Sequence, residues 1–190
     1  MGKNVSAKLN QGISPQQFID GMTKNQDQFR SIYESFEWPN KEDRKFFESL
    51  NGREDLRCLI LAADWCGDVV RNLPVVFHAL AVSGVKTEVL IMEQHLDTMD
   101  EFLTMGGRSI PVVIFAGADG VVRGQWGPRT KHVQEPMIAF KLGNPDREAS
   151  DYQQNLTAAR EEIMRRYGEG EGTAYQTDIV SELRQLLTTI

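Results

Sequence analysis

Cys66 stands in the run Trp65-Cys66-Gly67-Asp68, where an unbroken apolar segment hands over to a helical pattern. A thiol in the first turn of a helix faces unpaired main-chain N–H groups and the positive end of the helix dipole. Both favour the thiolate, the form that attacks disulfides and metals. The ligand crevice of an open α/β sheet lies beyond the C-terminal ends of its strands, which is where this position puts Cys66. The competing reading is a buried, inert cysteine, a common fate for this residue type. Asp68 works against the thiolate, because a carboxylate near a thiol raises its pKa; the sequence leaves the net sign open. Cys58, the other of the two cysteines, begins the strand that Cys66 follows. At ~3.3 Å of advance per strand residue the two α-carbons exceed the ~7 Å reach of a disulfide, so Cys58 is expected to be a small core residue. His78 falls too far along the helix to pair with Cys66, and His95 and His132 lack ligand spacing, so neither a metal site nor a cofactor is expected.

The elements that must position this thiol alternate. Cys58 to Ala63 is wholly apolar, as expected of a strand covered on both faces. A helix from Cys66 to about Ser83 follows, with Gly84 as its left-handed cap, and then a second apolar strand, Thr87 to Met92, parallel to the first. His95 to Met105 reads as a short helix with Leu96, Met99 and Leu103 on one side. Pro111–Phe115 and Val121–Gly124 flank the turn Gly117-Ala118-Asp119-Gly120 as an antiparallel hairpin, and a helix from Thr130 to about Phe140 closes the set. The expectation is an α/β fold with a β-α-β-α-β-β-α core around a central mixed sheet. Before it, Ser14-Pro15-Gln16-Gln17 starts a helix with a capping box, and Ile13 can staple onto Phe18. That helix runs through Phe29, Ile32, Tyr33 and Phe36, and a second spans about Lys41 to Leu50. After the core, Asn144-Pro145 reads as a further helix start. Stripes at Tyr152, Leu156, Ala159, Ile163 and Tyr167, then at Ile179, Leu183, Leu186 and Ile190, follow on either side of the break Gly168–Gly172. The expected division is an N-terminal helical extension over residues 1–53, a core over 54–142 and a C-terminal helical extension over 143–190 packed on that core.

The 190 residues include 21 Lys and Arg against 27 Asp and Glu, a net charge of −6, and no basic face argues for nucleic acid or an anionic membrane. No apolar run approaches the ~20 residues of a membrane span. The first dozen residues lack a secretory apolar stretch, and two cysteines are too few for a disulfide framework. The expected location is the cytoplasm.

Four features in order resemble the thioredoxin superfamily over about residues 54–142. Trp65-Cys66-Gly67 matches its active-site start, Pro74 its kinked helix, Ser109-Ile110-Pro111 its cis-proline loop, and Gly127 after Trp126 the glycine lining its substrate groove. The flanking helices resemble an uncharacterised bacterial thioredoxin-like group with a single active-site cysteine, an Ile-Pro and a Trp-Gly-Pro-Arg pattern. The resemblance implies Cys66 as the catalytic residue and a groove formed by Trp65, Gly67, Asp68, Ile110, Pro111, Trp126 and Gly127. Two departures go together. Val69 stands where the second cysteine is usual, and Ile60 where a buried acid helps to deprotonate it. Asp68 also replaces the usual proline. Arg108 and Arg129 flank the groove. They are candidate anion-binding residues for the carboxylate of a small peptide thiol, or they pair with Asp64, Asp68, Asp97 or Glu101, or are solvated.

Two functions follow from this resemblance. One is a monothiol thiol–disulfide oxidoreductase in which Cys66 attacks a disulfide-containing protein or a mixed disulfide with a low-molecular-weight thiol, and an external thiol resolves the adduct. The other is a non-catalytic binding or adaptor protein that uses the same groove. The apolar stripes of the added helices also suit a homodimer interface.

Overall fold

The computed structural model describes residues 2–190. Its sheet has four strands, β1 (Leu56–Ala62), β2 (Lys86–Ile91), β3 (Val112–Gly117) and β4 (Val122–Trp126), in the order β2-β1-β3-β4. β1 pairs parallel with β2 and antiparallel with β3, and β3 pairs antiparallel with β4. The parallel pair is joined by α4 (Gly67–Ser83), which carries Pro74 and ends on the left-handed Gly84. From Cys58 to Ala62 every residue of β1 is buried, because helices cover both faces of the central strands. This is the mixed α/β architecture of a thioredoxin-like fold. Among the described residues no helix is long and apolar enough to cross a membrane.

The N-terminal helices form where sequence places caps, but not as one rod. α1 (Pro15–Gly21) carries the reciprocal Ser14–Gln17 capping box. The expected continuation to Phe36 is broken between Met22 and Asn25, and α2 (Gln26–Ser35) starts afresh from the left-handed Asn25. Asp64, just past β1, braces the break. Its Oδ2 accepts from the Thr23 and Lys24 main-chain N–H groups at 2.7 and 3.0 Å, and its carbonyl accepts from Asn25 Nδ2 at 2.8 Å. α3 (Lys41–Glu48) is capped by Asn40.

The outer edge of β2 is bridged at Val89 by Ile13, whose N–H and C=O pair with it at 3.0 and 2.7 Å. The partly buried Glu88 accepts from the N–H groups of Asn10 and Gly12 at 3.1 and 3.2 Å and so fixes that segment. A bridge at the middle of the strand interrupts the edge as a template for stray strands.

Three further boundaries differ from expectation. α5 is only Leu96–Glu101, because Met105 and Gly106 both take positive φ in a tight turn closed by the Thr104–Gly107 bridge. Leu96 and Leu103 are therefore exposed, while Met99 is buried together with Thr98 and Phe102. β4 extends to Trp126. α6 (Lys131–Gly143), capped by Thr130, continues past Phe140 and through Pro136. Asn144 does not start a helix; its N–H closes α6 on the Phe140 carbonyl, and its side chain accepts from Asn155.

The next helix, α7 (Tyr152–Tyr167), packs on α6. The four-residue turn α8 (Glu169–Gly172) leads to α9 (Ala174–Thr188), which packs on α3, α4 and β4. Asp43 on α3 and Arg184 on α9 form an ion pair at 2.7 Å. The two terminal extensions therefore meet each other as well as the sheet layer.

Removing the Glu88 carboxylate takes the acceptor from the exposed Asn10 and half-buried Gly12 N–H groups, hydrogen bonds that contribute about 0.5–1.5 kcal/mol each where water can replace the partner. Glu88→Ala should lower the urea midpoint accordingly, and chemical denaturation against the parent protein measures it.

Candidate functional site

Three chain segments meet at the N-terminus of α4. β1 delivers the first. The Cys66 N–H donates to the Ala63 carbonyl at 3.3 Å, and Cys66 itself is the N-cap of α4 with extended backbone angles. The side chain is half-buried, and its Sγ–H donates to the Ile110 carbonyl at 3.4 Å. That carbonyl belongs to the second segment, the loop before β3. The Ile110–Pro111 peptide bond is cis, and both residues are buried. The third segment follows β4. Gly127 has φ of +111°, and a Cβ there would lie 2.2 Å from the Pro111 carbonyl oxygen, so the two loops touch backbone to backbone only because this residue is glycine. The Gly127–Pro128 bond is also cis, a feature that the sequence reading does not include.

The electrostatics of the thiol are a contest. Burial pushes the Cys66 pKa upward and is the largest influence. The Val69 and Asp68 main-chain N–H groups and the Arg129 guanidinium pull it down, while the Asp68 carboxylate pushes it up. The net direction, open from sequence, is upward. The helix start helps the thiolate as expected, but it does not outweigh desolvation. Cys58 lies fully buried in β1, where desolvation holds it firmly as a thiol, and both cysteines are free. Val69 and Ile60 are buried apolar residues with no exposed surface, so the position three residues after Cys66 offers no sulfur.

Asp68 is not free to act alone. Its Oδ1 accepts from Arg129 Nε at 2.9 Å, and its Oδ2 lies 2.6 Å from the same guanidinium. Both side chains are only 16% exposed. Arg129 also donates to Gln134 Oε1 at 2.6 Å. Arg108 forms a two-point pair with Asp100, at 2.6 and 2.7 Å, out in solvent. Both arginines at the groove are thus engaged by carboxylates of the chain itself, and the partner of Arg108 is outside the four acids considered from sequence.

The two tryptophans differ. Trp65 is 48% exposed, and its indole N–H donates to Glu93 at 2.6 Å, which fixes an aromatic face beside the thiol. Trp126 is 6% exposed, its N–H held by Glu182 of α9 at 2.7 Å; it supports the loop from beneath rather than forming an open wall. Gly67 is exposed next to Cys66. His78 lies away from the thiol, stacked between Tyr33 and Phe36 with Nε2 2.7 Å from the Tyr33 carbonyl.

Two contributors are absent from the sequence reading. Asn72, fully buried one turn beyond Asp68, donates to the Pro128 carbonyl and to the Tyr167 oxygen, both at 2.9 Å. Tyr167, at the end of α7, donates to Asp68 Oδ1 at 2.8 Å. An asparagine on the inward face of an otherwise apolar helix is the signal that marks the first. Tyr167 reads only as one more apolar-stripe residue.

The sequence profile described as thioredoxin matches residues 12–144. The chain belongs to the thioredoxin family. Among solved structures, this family member is similar to a protein of unknown function, PA1234, from Pseudomonas aeruginosa. The two share 15% identity and a TM-score of 0.67, with 98% of each chain covered. It is also similar to an HIV epitope-scaffold at 15% identity and a TM-score of 0.54, covering 100% of this chain and 94% of that one. The likeness in fold therefore runs through the terminal helices as well as the core. No curated protein matches the chain.

Neutralising Asp68 should make Cys66 more reactive. Removing the carboxylate that pushes the thiol pKa up gives more thiolate at neutral pH, only partly offset by its weaker intrinsic nucleophilicity, so Asp68→Asn should react severalfold faster with iodoacetamide. Arg129→Gln should slow the same reaction. Alkylation kinetics read at the Cys66 peptide check both directions.

Proposed function

We propose that this thioredoxin-family chain is a monothiol thiol–disulfide oxidoreductase that depends on an external thiol. What carries the reading is the position of one half-accessible sulfur, at a helix start and 3.4 Å from the Ile110 carbonyl, with no second sulfur able to reach it. Pro111 follows that carbonyl, and an extended substrate segment can add alongside the Ile110 backbone in the manner of an extra strand. Trp65, Gly67 and Asp68 border the sulfur on the α4 side; Gly127, with Trp126 beneath it, borders Pro111.

The reaction balances as two exchanges. The Cys66 thiolate attacks one sulfur of a disulfide, forms a mixed disulfide and releases the other half as a thiolate. An external thiolate then attacks the substrate sulfur of the adduct and returns Cys66, leaving a new disulfide between substrate and reductant. A further equivalent of thiol completes the two-electron reduction. The proton bookkeeping is simple, since each attacking thiol loses the proton that each leaving thiolate gains. The substrate class is a disulfide-bearing protein or a low-molecular-weight mixed disulfide.

A second reading is favoured by the same burial that raises the thiol's pKa: a groove that holds an extended segment without a covalent step. The two readings part on Cys66→Ser, which abolishes turnover in the first and leaves partner affinity unchanged in the second.

With hydroxyethyl disulfide and a low-molecular-weight thiol, the protein should accelerate reduction above the uncatalysed rate, and Cys66→Ser should fall to background. Because burial holds the thiol protonated at neutrality, the catalysed rate should climb as pH rises through and above the ordinary thiol range near ~8.5. A rate that is flat with pH, or retained by Cys66→Ser, contradicts the proposal.

A further inference from the structure

Tyr167 and Asn72 form a chain of donors that ends on the carboxylate beside the thiol. Asn72 Nδ2 donates to the Tyr167 oxygen at 2.9 Å, the Tyr167 O–H donates to Asp68 Oδ1 at 2.8 Å, and the same Oδ1 accepts from Arg129. Tyr167 is buried, its ring edge-on to Tyr175 of α9 at 5.0 Å and under the Arg71 guanidinium at 5.3 Å. Burial and the nearby Asp68 charge keep its phenol protonated, hence a donor. The arrangement carries a cost, since Asn72 Oδ1 is buried without a hydrogen-bond partner. A leucine in its place would fill the same helix face without that penalty. The amide is therefore placed for what its N–H groups hold, namely the Tyr167 oxygen and the Pro128 carbonyl next to Gly127.

We infer that Tyr167 is a positioning residue of the Cys66 site: by holding the Asp68 carboxylate against Arg129, the C-terminal helix α7 sets the reactivity of the thiol. The charged groups that act on Cys66 are Asp68 of α4 and Arg129 of the loop after β4. Arg71 lies over the phenol ring with its Nη1 on the Gly67 carbonyl, and Arg108, on the loop before Pro111, is occupied by Asp100. Tyr167 acts on the first pair. Its O–H spreads the charge of Asp68 away from the sulfur, and it fixes the carboxylate oxygen that Arg129 also grips. In this account the tail is a component of the thiol site, not a surface decoration. The inference rests on reading Cys66 as the reactive thiol, but its readout is ionisation and needs no turnover.

The test is the pH profile of Cys66 alkylation by iodoacetamide on the full chain, read by peptide mass spectrometry so that Cys58 does not contribute, with thermal midpoints measured alongside. Tyr167→Phe keeps the ring and removes one oxygen. Its profile should move up by about half a pH unit, which is about a threefold loss of thiolate at fixed pH. Asn72→Leu, which leaves the phenol in place, should move it the same way by less. In an Asp68→Asn background, where no carboxylate charge remains to be spread, Tyr167→Phe should move nothing further. Profiles of both single variants that superimpose on the parent would overturn the inference, as would an equal Tyr167→Phe shift in the Asp68→Asn background, which marks a purely structural role. A Cys66 that shows these shifts and still turns over no disulfide would sink the oxidoreductase reading and leave this one standing.

Discussion

One half-buried carboxylate decides how the rest of this molecule is to be read. Asp68 sits in the first turn of α4, where the main chain and the helix dipole otherwise favour a thiolate at Cys66. Left alone it would cancel much of that advantage. It is not left alone, because Arg129 reaches it from the loop after β4 and Tyr167 from α7. The site is thus assembled from segments about sixty and a hundred residues apart in sequence. Its electrostatic balance depends on the docking of the C-terminal helices. The same dependence explains why α9 holds Trp126 through Glu182: the loop that presents Arg129 must itself be kept in register with β4.

The backbone frame around the sulfur is rigid for separate reasons. Gly127 admits the Pro111 carbonyl where any side chain would collide, and Asn72 ties the Pro128 carbonyl to α4. On the other side, Asp64 binds the Thr23–Asn25 corner, so the N-terminal helices are fastened to the residue two places before Cys66. What varies chemically is only the charge around one sulfur. A thiolate of higher pKa is scarcer but a stronger nucleophile, which suits slow capture of reactive disulfides better than rapid cycling.

Much of this was legible in the sequence wherever the constraint is local. An unbroken apolar run made β1 and the Ser14–Gln17 box made the start of α1, while Cys66 stood out by its strand-to-helix position and Pro111 and Gly127 by the resemblance to the thioredoxin superfamily. The errors lie where a distant group intervenes. The periodicity from Phe18 to Phe36 hides a helix break that Asp64, beyond a strand, helps to hold. The stripe from Leu96 to Leu103 fails because a left-handed Met105–Gly106 turn ends α5 early. Asn144-Pro145 has the letters of a helix start, yet Asn144 is used to finish α6. Arg129 could be placed near the groove but not assigned to Asp68. Tyr167 could be placed on an apolar stripe, yet nothing in its neighbours announces that its hydroxyl meets a carboxylate near the thiol.

The central claim is that Cys66 captures a partner sulfur that nothing in the chain can then release. Intact-mass spectrometry on protein treated with hydroxyethyl disulfide, with reductant withheld, examines this directly. The account predicts one adduct per chain, located at Cys66, that persists until a small thiol is added and then disappears. An unmodified Cys66, or an adduct lost spontaneously with formation of a Cys58–Cys66 disulfide, would contradict it.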